Sequence, residues 1–167
     1  MIDTSRFFSE FKEPISSAML NGCLILVSDR DKYNWKPYYN FDAVQVSDVI
    51  VSKDSLLCKL KEGHKFEVGI IEMKPHHFYA WHVDTDRACG INIPLDGDDS
   101  KCLFRDKEEV NGPVFELYYR FKTAYLFNTT KEHCVYNGKG YRRMISVRFL
   151  GDETYNALKE EFKDILV

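Results

Sequence analysis

A series of short β-prone segments separated by turn signals constrains the fold of this chain more than any other feature. Strands are predicted at residues 65–73, 78–84, 89–95, 101–105, 114–120, 123–127, 132–136 and 141–150. The content of 12 Phe and 10 Tyr also favours strands, because aromatic side chains pack well on a pleated sheet. Eight short strands at such regular spacing are typical of a β-sandwich or a β-barrel.

Helical patterns flank this β region. One or two short helices are predicted within residues 4–20, and further helices at residues 52–60 and 153–166. One further strand is predicted at residues 23–28. Asn21-Gly22 is expected to end the first helix, and Asp152 is expected to cap the last one. We therefore predict a single domain over residues 1–167. Its fold class is mainly β with flanking helices, a double-stranded β-helix of the jelly-roll, cupin-like form.

The tripeptide His82-Val83-Asp84 is the strongest candidate for a chemical site. It lies in a predicted strand, where the side chains of residues i and i+2 point to the same face. A second imidazole, His133, lies in another predicted strand 51 positions after His82. Two imidazoles and one carboxylate are the ligand set that holds non-haem Fe(II) and leaves coordination positions open. A His-x-Asp tripeptide alone is weak evidence, so the prediction depends on the second histidine and the strand context.

The ordered set of His82-x-Asp84, His133-x-Val135-x-Asn137 and Arg143 resembles the Fe(II)/2-oxoglutarate-dependent oxygenases. Within that superfamily it is most similar to the aspartyl/asparaginyl β-hydroxylase-like and small phage or bacterial hydroxylase-like members. The resemblance covers residues 70–150, about half of the chain. It implies a double-stranded β-helix in which His82, Asp84 and His133 bind Fe(II). It further implies that Arg143 binds the far carboxylate of the co-substrate 2-oxoglutarate and that O2 takes a remaining position.

Strand alternation decides which arginine is predicted to anchor the far carboxylate of 2-oxoglutarate. Arg142, Arg143 and Arg148 share the last predicted strand. Arg143 alternates with Ile145, Val147 and Phe149, an apolar set that we expect to point inward. A charged group in an apolar row needs an anionic partner, so Arg143 is predicted as the anchor and Arg142 is the alternative.

Two further residues are candidates for contacts in the cavity. Asn92 shares its strand face with Gly90 and Pro94 and is predicted to hydrogen-bond the co-substrate or the substrate. The alternative for Asn92 is a hydrogen bond to the neighbouring backbone. Arg87, just after the predicted metal-binding carboxylate, either binds an acidic substrate group or is a solvated loop charge.

The predicted function is hydroxylation of an amino acid, a peptide side chain or another small metabolite by a 2-oxoglutarate/Fe(II)-dependent dioxygenase. Two alternatives stay open at this stage. One is a non-catalytic jelly-roll, cupin-like binding or structural module. The other is a metal-dependent isomerase or cupin-type dioxygenase, although such sites more often use three or four histidines and a glutamate. The sequence does not encode the substrate or the oligomeric state.

Composition excludes several classes of partner. The net charge of -3 and a pI near 6.0 give no reason to expect nucleic acid. No apolar run approaches the ~18 residues that a membrane span needs, and the first residues do not resemble a signal peptide. The five Cys are odd in number and scattered, which favours reduced thiols and a cytoplasmic location.

Overall fold

The computed structural model describes residues 4–96, 99–106 and 112–167. Within these residues the strands form two antiparallel sheets. The large sheet contains, in spatial order, β1 (Phe8–Glu10), β9 (Tyr125–Asn128), β6 (Cys89–Pro94), β11 (Arg142–Phe149), β4 (Phe66–Met73), β3 (Asp42–Gln45) and β2 (Lys36–Pro37). The small sheet contains β5 (Phe78–His82), β10 (Glu132–Tyr136), β7 (Lys101–Arg105) and β8 (Phe115–Leu117). The two sheets face each other as in a jelly roll, which confirms the predicted fold class.

Helices cover one side of the large sheet. The α-helices in the described part of the chain are α1 (Ser17–Ser28), α2 (Asp48–Val51), α3 (Ser55–Gly63) and α4 (Tyr155–Glu161). The side chains of Ser16, Asp54 and Thr154 accept backbone hydrogen bonds in the first turns of α1, α3 and α4, which fixes where these helices begin. Thr154 and not Asp152 therefore caps the last helix. None of the described helices is both long and apolar enough to cross a lipid bilayer.

The prediction of a strand at residues 23–28 is wrong, because these residues form the second half of α1. Asn21-Gly22 does not end the helix either. A Cβ at Gly22 would lie 2.9 Å from the Ile50 side chain, so the missing side chain lets α1 pack closely against α2. The predicted N-terminal helix is also partly wrong, because β1 forms there and pairs with β9 before α1 begins.

The large sheet buries both of its faces, and this arrangement positions the cavity. On one face, Ile145 and Val147 of β11 pack in a large apolar cluster with residues of α1, α3 and α4. On the other face, Met73 and Phe127 belong to a second cluster that includes Phe104 of the small sheet. Strand alternation therefore divides β11 between a face that packs against the helices and a face that looks toward the small sheet.

The burial of the cysteines gives a testable prediction. Burial raises the pKa of Cys23 and of Cys89 to about 12 and that of Cys102 to about 11, whereas Cys58 is exposed. Because the thiolate is the reactive form, we expect one thiol, Cys58, to react rapidly with a disulfide reagent at pH 8. The measurement compares the fast-reacting thiols of the native protein with the total in guanidinium. A second fast thiol in the native protein would contradict this burial.

Candidate metal centre and its cavity

The structure brings the three predicted ligands together. His82 ends β5, Asp84 follows two residues later, and His133 of β10 is the direct ladder partner of His82. The two imidazole ring centroids are 4.2 Å apart. Asp84 Oδ1 lies 3.5 Å from His82 Nε2 and 3.8 Å from His133 Nε2. One donor atom from each residue lies within 4.8 Å of the others, which is the separation that a single metal ion needs.

A hydrogen bond from Nδ1 to a backbone carbonyl fixes the orientation of each imidazole. His82 Nδ1 is 2.7 Å from the Ala80 carbonyl oxygen, and His133 Nδ1 is 2.9 Å from the Lys131 carbonyl oxygen. A carbonyl only accepts, so Nδ1 donates in both rings, and in the neutral imidazole Nε2 is then the nitrogen with the free lone pair. Metal-binding histidines typically have such a hydrogen bond, because it sets the tautomer and the direction of the free nitrogen.

Burial favours the neutral form of His133, which is the form that can bind a cation. Its side chain is 6% exposed, and burial lowers its pKa below the usual value for histidine. The charges of His82 and Arg87 lower the pKa of His133 further, while the Lys131 carbonyl and Asp84 act in the opposite direction. A neutral imidazole with a free lone pair is the form that binds a metal. His82 is supported by the ring of Tyr79, which stacks on it at 4.0 Å.

A cavity of about 380 Å³ opens beside these three residues, between the two sheets. His82, Asp84 and His133 all line it. Its walls also carry Asn92, Arg142 and Ser146 from the large sheet and Tyr79, Cys102 and Val135 from the small sheet. The volume lies in the range of small-molecule sites, which bury most of their ligand.

The cavity contains a buried arginine without an anionic partner. Arg142 is 3% exposed, and its Nε has no hydrogen-bond partner. Its guanidinium lies over the ring of Tyr119 at 5.6 Å, and within the described residues it forms no ion pair. A buried cation without an anion is costly, so this geometry favours an anionic ligand at Arg142.

Other polar groups surround this arginine. The side chain of Asn92 is buried, and its Oδ1 has no hydrogen-bond partner. Burial raises the pKa of Tyr119, whose hydroxyl shares hydrogen bonds with Cys102 and Asn92. Asn92 lies in the cavity wall as its strand face predicted. Tyr119 and Cys102 were not among the predicted site residues, because no motif marks them and only the folded chain places them beside Arg142.

The prediction that Arg143 faces the cavity is wrong. Arg143 lies on the opposite face of β11, where its Nε donates to Glu72 Oε2 and its Nη1 donates to Asp96 Oδ2, both at 2.6 Å. Glu72 also pairs with Arg30 at 2.7 Å. The apolar residues that alternate with Arg143 point inward as expected, but toward the helices and not toward the cavity. Of the two adjacent arginines, the predicted alternative, Arg142, is the one that lines the cavity.

Comparison with known proteins identifies the fold. No protein-family sequence profile and no curated protein matched the chain. Among solved structures, a Pseudomonas putida prolyl-4-hydroxylase matches with a TM-score of 0.66 at 14% identity, covering 86% of this chain and 92% of that one. This chain shares the fold of the 2-oxoglutarate–Fe(II) oxygenases.

Two other structures with this fold contain ligands. A Trichoplax adhaerens prolyl hydroxylase in complex with a hypoxia-inducible-factor peptide has a TM-score of 0.62 at 13% identity, covering 92% of this chain and 87% of that one. HygX from Streptomyces hygroscopicus, with nickel, 2-oxoglutarate and hygromycin B bound, has a TM-score of 0.59 at 10% identity. That match covers 86% of this chain and 82% of HygX. The fold thus accommodates both peptide and small-molecule ligands.

Proposed function

We propose that this protein is an Fe(II)- and 2-oxoglutarate-dependent dioxygenase that hydroxylates an amino acid, a peptide side chain or another small metabolite. The observation that carries the proposal is the pairing of two features in one cavity. Two imidazoles and a carboxylate converge at one place, and a buried guanidinium without an anionic partner lies at another. A metal site explains the first feature, and a dicarboxylate that reaches from the metal to Arg142 explains the second.

The donor set fits Fe(II). His82 Nε2, His133 Nε2 and Asp84 Oδ1 would hold the ion, and a facial set of two histidines and one carboxylate leaves positions for small molecules. When bound, Fe(II) with 2-oxoglutarate supplies the activation of O2 that oxidises a C–H bond. Everything else in the reaction depends on how this chain positions and shields the reacting groups.

Arg142 is the best anchor for the far carboxylate of 2-oxoglutarate. A planar guanidinium binds a carboxylate through two parallel hydrogen bonds, and burial strengthens them because water does not compete. The Tyr119 hydroxyl and the Asn92 amide lie close enough to share this role. These residues would fix one end of the co-substrate, so that its other end meets the metal in a single orientation.

Apolar side chains would keep water away from the reacting groups. Phe104 and Phe127 pack against the imidazole of His133, at ring-centroid distances of 5.6 and 5.9 Å. Phe127 and Val135 also line the cavity itself. Exclusion of water by these side chains would limit side reactions with solvent and strengthen the charge interactions within the site.

The substrate class stays at the level of an amino acid, a peptide or a small metabolite. The Trichoplax enzyme was solved with a peptide and HygX with hygromycin B, so the shared fold is compatible with either kind. The aspartyl/asparaginyl hydroxylase-like assignment and the cytoplasmic location remain predictions from the sequence, as does the absence of nucleic-acid partners.

An anaerobic titration tests the proposed function. We expect Fe(II) and 2-oxoglutarate together to produce a weak visible charge-transfer band, and Fe(II) alone to produce none. Admission of O2 should bleach the band and release succinate. Iron that binds without a band in the presence of 2-oxoglutarate would contradict the proposal. Absence of any thermal stabilisation by Fe(II), Mn(II) or Co(II) would instead favour the non-catalytic jelly-roll module.

A further inference from the structure

The two oxygens of the Asp84 carboxylate have different surroundings. Oδ1 faces the Nε2 atoms of both histidines, whereas Oδ2 accepts a 2.7 Å hydrogen bond from Arg87 Nε. We propose that Arg87 is a positioning residue that holds Asp84 as a one-oxygen metal ligand. The inference rests on the metal site of the proposed function, but it does not depend on the reaction that follows.

Arg87 is itself held in place from several directions. Its Nη1 lies 3.0 Å from the position that a Cβ on Gly90 would occupy, so only glycine at that position leaves ordinary room for the guanidinium. The guanidinium carbon lies 5.7 Å from the ring centre of Phe127, and the Arg87 carbonyl accepts a 2.7 Å hydrogen bond from Thr129 Oγ1. The side chain is only 20% exposed. Arg87 is therefore a fixed part of the cavity wall and not a solvated loop charge.

Backbone hydrogen bonds join the loop that contains Arg87 to the segment that precedes β10. The Asp84 amide donates to the Thr129 carbonyl at 3.0 Å, and the Thr129 amide donates to the Ala88 carbonyl at 3.3 Å. Thr129 is fully buried. These bonds join the backbone on both sides of Arg87 to the segment that leads into His133, so the carboxylate and the imidazole are positioned by one connected structure.

Arg87 completes a set of three orienting contacts. His82 and His133 are each oriented by a backbone carbonyl two residues earlier, and Asp84 is oriented by a cation three residues later. With Oδ2 engaged, the carboxylate cannot rotate to chelate the ion with both oxygens. A metal ion held here would thereby keep one more coordination position for a small molecule.

Arg87 exerts two opposite effects on metal affinity. Its positive charge repels a dication and weakens binding, whereas its hydrogen bond orients the ligand and strengthens binding. Loss of such an outer partner typically costs about 10–100-fold in metal affinity, so we expect the orienting effect to prevail. A simple surface ion pair predicts the reverse, because removing a nearby cation should leave affinity unchanged or improve it.

Titration of Mn(II) into the metal-free protein tests this inference, with the free ion followed by its electron paramagnetic resonance signal. We expect Arg87→Ala to raise the Kd for Mn(II) by about 10–100-fold. Arg87→Lys, which keeps a charged donor, should give an intermediate value. Arg148→Ala is the matched control, because Arg148 is an exposed cation that pairs with Asp86 two residues beyond Asp84. That variant should keep the wild-type Kd.

A second route perturbs Arg87 without replacing it. Gly90→Ala places a methyl group against the guanidinium, and we expect it to weaken Mn(II) binding in the same direction as Arg87→Ala. The thermal midpoint of each metal-free variant shows whether the fold is intact. The inference is overturned if folded Arg87→Ala binds Mn(II) as tightly as the wild type or more tightly. It is also overturned if the wild type binds no Mn(II). Normal Mn(II) binding without a 2-oxoglutarate band would refute the proposed function alone.

Discussion

Replacing His133 with alanine should abolish metal binding, and with it the 2-oxoglutarate band and all turnover. His133 is one of the three proposed ligands, and it is the ladder partner of His82. Loss of a ligand should exceed the ~10–100-fold that an outer partner contributes. At a Mn(II) concentration of 100 times Kd, binding stabilises the wild type by about 2.7 kcal/mol. For a chain of this size that is a rise in Tm of about 5–10 °C, which His133→Ala should lose.

The control for this experiment is another histidine that lies outside the site. His77 is exposed between β4 and β5, and His77→Ala should keep the full Mn(II)-dependent rise in Tm. Because His133 is buried, the metal-free variant must also be shown to fold. His82→Ala, at a more exposed ligand, gives the same test with less disturbance of the core. A rise in Tm that persists in either ligand variant would place the metal elsewhere.

Part of the cluster formed by His82, Asp84 and His133 could be predicted from sequence, because the spacing of its first two members is local. His82 and Asp84 are two residues apart at the end of a strand, and that spacing alone places them on one face. Their meeting with His133 was an inference from the resemblance, since strand pairing between distant segments is not encoded by periodicity. The structure supplies the pairing of β5 with β10, including an irregularity in register between His133 and Val135.

The N-terminal region could not be predicted because tertiary packing overrides its local pattern. Residues 23–28 are a short apolar run, and such a run fits a buried strand or a buried helix equally well. Burial of Cys23 and Leu26 against the large sheet selects the helix. Gly22, which ends helices in many sequences, here gives α1 its close approach to Ile50. Nothing in the local sequence distinguishes these two uses of a glycine.

Arg143 was predicted to face the cavity, and the reason that it does not lies in the architecture. Apolar alternation identifies a cavity face only when the other face of the strand meets solvent. Here Ile145 and Val147 face the helices, while Arg142 and Ser146 face the cavity. In this strand, the more apolar face packs against the helices and the more polar face lines the cavity. Arg143 lies on the face that packs against the helices, and there Glu72 provides its anionic partner.

Separate substitutions of Arg142 and Arg143 distinguish the proposed binding of 2-oxoglutarate from the structural ion pair with Glu72. Arg142→Met removes two charge-assisted hydrogen bonds from the proposed 2-oxoglutarate site, a loss of about 3–4 kcal/mol, or about 10²–10³-fold in Kd. Arg143→Met should leave that Kd within about twofold. It should instead lower Tm, because the buried carboxylate of Glu72 loses one of its two arginines. Anaerobic titration of 2-oxoglutarate, followed by the visible band, measures both constants.

Arg142→Met should weaken 2-oxoglutarate binding with little loss of stability, whereas Arg143→Met should lose stability and keep 2-oxoglutarate binding. A general loss of structure therefore cannot explain both results. Arg142→Met should keep its metal affinity and most of its stability, because a buried guanidinium without an ion pair is replaced by an apolar side chain of similar length. A variant that binds Mn(II) normally but 2-oxoglutarate poorly places the co-substrate's far carboxylate at Arg142. If Arg143→Met loses the co-substrate while Arg142→Met retains it, the anchor lies outside this cavity. The buried guanidinium then requires another anion.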